Sequence, residues 1–195
     1  TTSSIFNLNK EANCIVITIN DLTTFSSDLV KILTAHHINK IHIEGFSLGG
    51  YLGLDFLQHY PEKVESLYFY GCRPLYPNDN IIQMKNNLVQ NQKGTLTHFW
   101  KSCFADQAQF KDIYKSYFKE TISNISIDSL LNGLTYLAKI NMFEWCKRNE
   151  TLLTKTTFFH GEHDKIASIK EFKQLTRKFK QINQQIISKK GHFTF

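Results

Sequence analysis

A serine set among glycines is the residue of this chain whose surroundings most directly suggest chemistry. Residues 45–50 read Gly-Phe-Ser-Leu-Gly-Gly and stand between a predicted strand and a predicted helix, the setting of a nucleophile elbow. We expect Gly45 and Gly49 to be required there, because larger side chains two positions from Ser47 would collide in so sharp a turn. The Ser47 hydroxyl would then project near the helix amino terminus, where the backbone N–H of Leu48 can stabilise an oxyanion. A glycine-rich turn that binds phosphate, or only connects two elements, is the alternative interpretation.

A serine hydroxyl needs a base to become a nucleophile, and that base needs a third group to orient it. Asp164 follows a predicted strand, and His192 follows the last predicted strand. His160 and His163 also qualify as bases, but they lie beside the expected acid rather than in the next loop. The order Ser47, Asp164, His192 is that of α/β-hydrolases. We therefore interpret these three residues as a catalytic triad.

Strands and helices alternate in the pattern, which predicts an α/β fold with a mainly parallel sheet and helices on both faces. The predicted strands span residues 14–19, 40–44, 64–70, 156–159 and 185–188. The predicted core helices span residues 25–36, 51–60 and 168–179. From residue 74 to 149 the pattern is mostly helical. We therefore expect an α/β-hydrolase core formed by residues 1–73 and 150–195, with a helical cap of residues 74–149 inserted between its halves.

Composition limits the remaining classes of function. The 195 residues carry a formal charge of +6, with 42% hydrophobic and 21% charged residues, as in an ordinary globular protein. Apolar runs are too short for a membrane span, and the basic residues accompany no nucleic-acid-binding motif. The cysteines are widely spaced without metal-ligand spacing, so we expect reduced thiols, a cytoplasmic protein, and neither metal nor cofactor. The cysteines are Cys14, Cys72, Cys103 and Cys146.

Residues 45–50, followed by His-Tyr-Pro-Glu-Lys-Val at 59–64, resemble the elbow and helix end of cofactor-free α/β-hydrolases. The likeness is strongest to the pimeloyl-[acyl carrier protein] methyl ester esterases of biotin biosynthesis. Two segments of the predicted cap, residues 131–137 and 99–103, are also similar to that family. Phe46 departs from it, because the family usually has Trp at this position.

The resemblance implies a serine carboxylesterase that hydrolyses the methyl ester of a pimeloyl chain on acyl carrier protein. It places Phe99, Trp100 and Cys103 beside the acyl chain, with Leu48 binding the substrate carbonyl. It also implies that acidic acyl carrier protein docks on basic residues of the cap, and solvated surface lysines are the alternative interpretation. The sequence does not fix the oligomeric state, and a monomer is favoured. The basic cap residues are Lys85, Lys93, Lys101, Lys111, Lys115, Lys119, Lys139, Lys147 and Arg148.

Two departures leave other functions open. The family's His-Gly loop, which gives the second oxyanion N–H, has no counterpart here except the turn near residues 20–22. The sequence also stops three residues after His192, without the family's closing helix. An acyl thioesterase or a general small-ester carboxylesterase would keep the triad and change the substrate. A non-catalytic hydrolase-fold protein that binds an acyl or protein partner is the third alternative.

Overall fold

A parallel sheet organises the part of the chain that the structure describes. The computed structural model describes residues 21–115 and 124–194, and the predicted strand at 14–19 lies outside them. The described sheet has four strands in the order β1-β2-β3-β4, and every neighbouring pair is parallel. The strands are β1 (Ile41–Phe46), β2 (Val64–Tyr70), β3 (Thr156–Gly161) and β4 (Asn183–Ile187). The mainly parallel α/β fold predicted from the sequence is confirmed.

Helices connect the strands, as parallel pairing requires. The described α-helices are α1 (Phe25–Ala35), α2 (Leu48–His59), α3 (Asn78–Ser102), α4 (Gln107–Ile113), α5 (Ile127–Leu137), α6 (Met142–Arg148) and α7 (Ile169–Lys178). Helices α1, α2 and α7 belong to the segments that carry the sheet, and α3 to α6 all fall between β2 and β3. Short 3₁₀ turns precede β2 and β3 at Pro61–Lys63 and Glu150–Lys155. No described helix is both long and apolar enough to cross a membrane.

Helix α2 lies close to the sheet because two of its three glycines, Gly50 and Gly53, face strand β2. A Cβ on Gly50 would fall 2.1 Å from the ring of Phe69 on β2, and one on Gly53 would fall 2.7 Å from Leu67. Phe69 and Leu67 are completely buried. This close packing fixes the helix against β2, and with it the turn that holds Ser47.

Besides the apolar core that packs against the sheet, a second apolar cluster joins the helices between β2 and β3 to the residues that follow His192. Its buried members include Leu96 on α3, Phe110 on α4 and Phe193. Helix α3 is interrupted at Asn91, whose backbone is not helical and whose side chain accepts a hydrogen bond from the N–H of Gly94 at 2.9 Å. The cluster therefore ties α3 and α4 to the loop that follows β4.

The predicted bounds agree best where a strand has a clear apolar pattern. The strand predicted at 64–70 is confirmed at both ends. Helix α2 begins at Leu48, three residues earlier than predicted, because it starts directly after Ser47. Strand β1 extends two residues further than predicted, to Phe46, so it leads straight into the same turn.

Candidate active site

Ser47 occupies the strained position that a nucleophile elbow requires. Its backbone has φ 50° and ψ −117°, in the positive-φ region that non-glycine residues rarely adopt. Two features fix this backbone conformation. The Ser47 N–H donates to the carbonyl of Tyr70 on β2 at 2.8 Å, and helix α2 begins at the next residue. Leu48 is the first residue of α2, where backbone N–H groups have no intrahelical acceptor.

The glycines around Ser47 differ from the expectation in one respect. A Cβ on Gly45 would lie 2.5 Å from the Cα of Gly50, so the turn does require glycine there. A Cβ on Gly49 would meet no heavy atom within 4 Å outside its own helical neighbours. The expectation that Gly49 is sterically required is therefore wrong. Gly50 is instead the glycine that the turn requires. Its Cα lies against Gly45, and a Cβ on Gly50 would collide with the ring of Phe69.

His192 and Asp164 form a buried pair. The His192 Nδ1 lies 2.7 Å from the Asp164 Oδ2, and both side chains are completely buried. A carboxylate so placed accepts a hydrogen bond from Nδ1–H, which leaves Nε2 as the basic nitrogen of the neutral ring. The two residues are 28 positions apart in sequence, and the structure brings them together as the chain order predicts.

Asp164 is held by the loop that follows it. Its Oδ1 accepts hydrogen bonds from the N–H groups of Ile166 and Ala167, each at 2.8 Å. The carbonyl of Ala167 lies 2.9 Å from the Nε2 of His160, and the His160 ring stacks on Phe172 with 4.4 Å between centroids. His160 thus fixes the loop that orients the carboxylate.

The other two candidate bases do not take the place of His192. His160 is fully buried, and its Nε2 lies 3.8 Å from the Asp164 Oδ2, beyond hydrogen-bond distance. Burial lowers the pKa of His160, so its ring is neutral at pH 7. His163 is exposed, and its ring lies 4.0 Å from the carboxylate of its neighbour Glu162. Only His192, of the three, makes a hydrogen bond to Asp164.

Gly71 brings His192 to the serine turn. Gly71 follows Tyr70, the residue whose carbonyl receives the Ser47 N–H. A Cβ on Gly71 would lie 2.6 Å from Cε1 of the His192 ring and 2.9 Å from Nδ1, so the ring rests directly on this glycine. The ring of Phe46, the residue before Ser47, lies 5.0 Å from the same imidazole. His192 is therefore packed against Phe46 of the elbow and against Gly71 at the end of the neighbouring strand β2.

The Nε2 of His192 is buried and makes no hydrogen bond within the described part of the chain. Nucleophile–base hydrogen bonds are often long in ligand-free enzymes and tighten when substrate binds. The described site therefore contains an oriented imidazole with a free accepting nitrogen, beside a strained serine that is half-buried.

The loop that carries His192 is held by two further close approaches. A Cβ on Gly161 would lie 1.9 Å from the carbonyl oxygen of Gly191, and one on Gly191 would lie 2.5 Å from the carbonyl oxygen of Cys103. That Cys103 oxygen also accepts a hydrogen bond from the N–H of Phe193 at 3.1 Å. The end of α3 thus holds the histidine loop through its backbone.

The residues expected beside the acyl chain separate into two groups. Phe99 lines a cleft next to the site, and the Leu48 side chain packs near Gly133 on α5. Trp100 stacks on Phe193 instead, with 5.6 Å between ring centroids. Cys103 is fully buried in the second apolar cluster, and burial raises the pKa of its thiol. Its side chain packs into this cluster and its backbone carbonyl holds the histidine loop, so a place for Cys103 beside the acyl chain stays a prediction.

Two other expectations concern the oxyanion and metals. In the turn near residues 20–22, the Asp21 carboxylate accepts hydrogen bonds from the backbone N–H and the hydroxyl of Thr23, and residue 20 lies outside the described part. A second oxyanion donor from this turn stays a prediction. Among the described residues, no group of three or more His, Cys, Asp or Glu side chains could hold a metal ion.

The fold and the strained serine turn agree with a comparison at the level of sequence. A family profile described as the alpha/beta hydrolase fold matches residues 9–195, nearly the whole chain. The chain belongs to the α/β-hydrolase fold family. No curated protein sequence is significantly similar to this α/β hydrolase.

Solved structures share the fold of this α/β hydrolase at low sequence identity. An esterase from Exiguobacterium antarcticum is 17% identical with a TM-score of 0.69, and a bromoperoxidase from Bacillus anthracis is 19% identical with a TM-score of 0.70. A hydrolase from a Medee basin deep-sea metagenome library is 16% identical with a TM-score of 0.72. The matches cover 88%, 88% and 90% of this chain and 67% of each of the other chains. The α/β hydrolase described here thus spans about two thirds of the length of these structures.

The sequence did not indicate the roles of two residues of the site. Gly71 has φ +73° and supports the His192 ring, and His160 holds the Asp164 loop. A glycine at the end of a predicted strand is a usable signal, because such positions often require a positive φ or a close approach. The role of His160 has no local signal, since it depends on a carbonyl seven residues further along.

Proposed function

We propose that this α/β hydrolase is a serine-dependent carboxylic ester hydrolase, with Ser47 as nucleophile, His192 as general base and Asp164 as the orienting acid. The observation that carries the proposal is the buried 2.7 Å pair of His192 and Asp164, seated on Gly71 beside the strained Ser47. An imidazole with one nitrogen bound to a carboxylate and the other unoccupied is suited to accept a hydroxyl proton.

The reaction follows from this placement. The Ser47 oxygen attacks the ester carbonyl while its proton passes to Nε2 of His192, and the tetrahedral oxyanion receives the N–H of Leu48. Collapse expels the alcohol, which takes the proton from His192. Water then attacks the acyl-enzyme with His192 again accepting the proton, and His192 returns that proton to the Ser47 oxygen as the acyl C–O bond breaks and the free acid leaves.

Hydrolysis of p-nitrophenyl acetate tests this proposal. We expect Ser47→Ala to lower kcat by about 1000-fold or more, and His192→Ala to do the same. Because residues of a triad act as a unit, the double variant should be no slower than either single one. Ser129→Ala removes an exposed hydroxyl on α5 and is the matched control. Equal activity of Ser47→Ala and the wild type would reject Ser47 as the nucleophile.

For the natural substrate, we propose the methyl ester of a pimeloyl chain on acyl carrier protein. The support is the resemblance of residues 45–50 and 59–64 to esterases of this specificity, together with the basic cap. Of the basic cap residues, seven are exposed and Lys85 is half-buried with a 2.7 Å hydrogen bond to Thr135, while Lys119 lies outside the described residues. The exposed residues are Lys93, Lys101, Lys111, Lys115, Lys139, Lys147 and Arg148. Such charges would attract an acidic carrier.

Methanol release from the carrier-borne ester tests the substrate separately from the chemistry. We expect Lys101→Glu and Lys111→Glu to raise KM for that ester by several-fold, and to leave dimethyl pimelate hydrolysis unchanged. Lys180→Glu changes an exposed lysine outside the cap and is the control. No methanol release by an enzyme that hydrolyses simple esters would reject this substrate. A cytoplasmic location accompanies the proposal, and the three described cysteines are buried free thiols.

A further inference from the structure

A cleft of about 310 Å³ lies beside the site, between helices α3 and α5 and the loops that follow β2 and β3. This volume is at the lower end of the range for small-molecule sites. Most of its wall is apolar, with Met84, Phe99, Leu134 and Ile166 among the lining residues. A short aliphatic chain is the kind of ligand that such a wall binds.

The cleft shares a wall with the proposed catalytic residues. Ile166 lines the cleft, and its backbone N–H donates to the Asp164 Oδ1 at 2.8 Å. The side chains of Ile166 and Phe99 belong to the same apolar cluster as Phe46, whose ring lies 5.0 Å from that of His192. The cleft therefore adjoins residues that hold Asp164 and pack beside His192, and an acyl chain bound at Ser47 would have this apolar space beside it.

The charged side chains among the described residues that line the cleft are all basic. Among the described residues, the lining includes Arg73 and Lys165 and no acidic side chain. Arg73 is partly neutralised, because its Nε donates to the Glu171 carboxylate at 3.1 Å and its guanidinium lies 5.5 Å from the centroid of the Tyr76 ring. Lys165 is exposed and makes no ion pair with any described residue. An apolar wall with an unneutralised cation fits an aliphatic chain that ends in an anion.

We propose that the cleft binds the acyl part of the substrate and that Lys165, with Arg73, recognises a carboxylate at the end of that chain remote from the ester. The preferred small substrates are then free half-esters of dicarboxylic acids, whose remote end is a carboxylate rather than the thioester of the carrier-borne ester proposed above. This inference rests on the proposed serine esterase activity and adds a substrate class and a specificity-determining residue to it.

Paired substrates test the inference. The mono-p-nitrophenyl ester of adipic acid and p-nitrophenyl hexanoate have acyl chains of the same length and differ in the terminal carboxylate. We expect wild type to prefer the acidic ester by about fivefold in kcat/KM, from a partly exposed ion pair, and to lose most of this preference in 0.5 M salt. Lys165→Gln should bring the ratio close to one through KM, and Lys165→Glu should invert it. Lys170→Gln, an exposed α7 lysine outside the cleft, should retain the wild-type ratio.

Because the two esters are compared on the same variant, the ratio of their kcat/KM values is not changed by a general loss of activity. A wild-type ratio of one, or a ratio that Lys165→Gln leaves unchanged, would overturn the inference while ester hydrolysis itself stands. Ligand binding, measured without catalysis, tests the inference even if the protein hydrolyses no ester. Calorimetry on Ser47→Ala should show tighter binding of monomethyl suberate than of dimethyl suberate, and the added Lys165→Gln change should remove the difference. Equal affinities for the two esters would overturn the inference even in a protein without esterase activity.

Discussion

Replacement of Gly71 by alanine tests the arrangement of the site with the smallest possible change. The added Cβ would lie 2.6 Å from Cε1 and 2.9 Å from Nδ1 of His192. Ordinary carbon–carbon contacts are about 3.5–4.0 Å, so the imidazole must move by roughly 1 Å. Such a shift breaks or weakens the 2.7 Å hydrogen bond between Nδ1 and Asp164. A misplacement of about 1 Å can cost roughly 100-fold in rate, which we expect as the fall in kcat.

The same substitution also has a backbone cost. Gly71 has φ +73°, and a left-handed conformation costs an L-residue about 1–2 kcal/mol. We therefore expect the free energy of unfolding to fall by at least about 1 kcal/mol in a urea titration, with the protein still folded. If displacement of His192 is the cause, kcat must fall by far more than the small fraction of unfolded protein at 25 °C can explain. Activity and unfolding are therefore measured on the same preparation.

Gly133→Ala is the matched control for Gly71→Ala. Its Cβ would meet only a Leu48 methyl at 3.6 Å, an ordinary contact, and Gly133 lies within α5, where alanine favours the helix by up to about 1 kcal/mol. The control should keep wild-type activity and be equally or more stable. If Gly71→Ala retains kcat within about threefold of the wild type, then the placement of His192 on Gly71 does not matter for catalysis and our reasoning is refuted.

Three further substitutions test other parts of the site. Asp164→Asn can still accept the two loop N–H groups, but its amide would donate to Nδ1 and so fix the tautomer of His192 that cannot accept a proton; we expect kcat to fall by about 10³–10⁴-fold with little loss in thermal stability. A normal rate would show that the pair is only structural. Gly50→Ala places a Cβ 2.1 Å from the Phe69 ring, and thermal denaturation should show a loss of about 1–3 kcal/mol or failure to fold. Burial lowers the pKa of His160 in the folded protein and so keeps the ring neutral. In the unfolded chain the same ring takes up a proton when the pH falls below its ordinary pKa of 6.5. The free energy of unfolding should therefore fall as pH drops from 7 to 5, and an unchanged slope in His160→Gln would contradict this assignment.

Local patterns were enough to predict the elements and the order of the site residues. The β2 strand was predicted at both ends, because Val64, Leu67 and the aromatic residues at 68–70 make a short apolar run after Pro61, and Gly71 ends it. The approach of His192 to Asp164 also followed from the chain order, since parallel strands end at the same edge of a sheet. These features depend on neighbouring residues and on general topology.

Contacts between distant segments could not be predicted in the same way. The core position of Cys103 depends on how α3 ends against the loop after β4, which no periodicity records. The steric roles of Gly49 and Gly50 depend on how close α2 lies to Phe69. The lysine at the cleft, Lys165, looks like any exposed cation until α3 and α5 are placed over it.

Covalent labelling by a serine-directed phosphonate tests the central claim most directly, because it requires an activated serine and no knowledge of the substrate. We expect mass spectrometry to find one adduct on the wild-type protein, located at Ser47 by peptide mapping. His192→Ala should be labelled far more slowly although Ser47 is present. A folded wild-type protein that remains unlabelled, or that carries the adduct on another residue, would contradict the assignment of Ser47 as a nucleophile activated by His192.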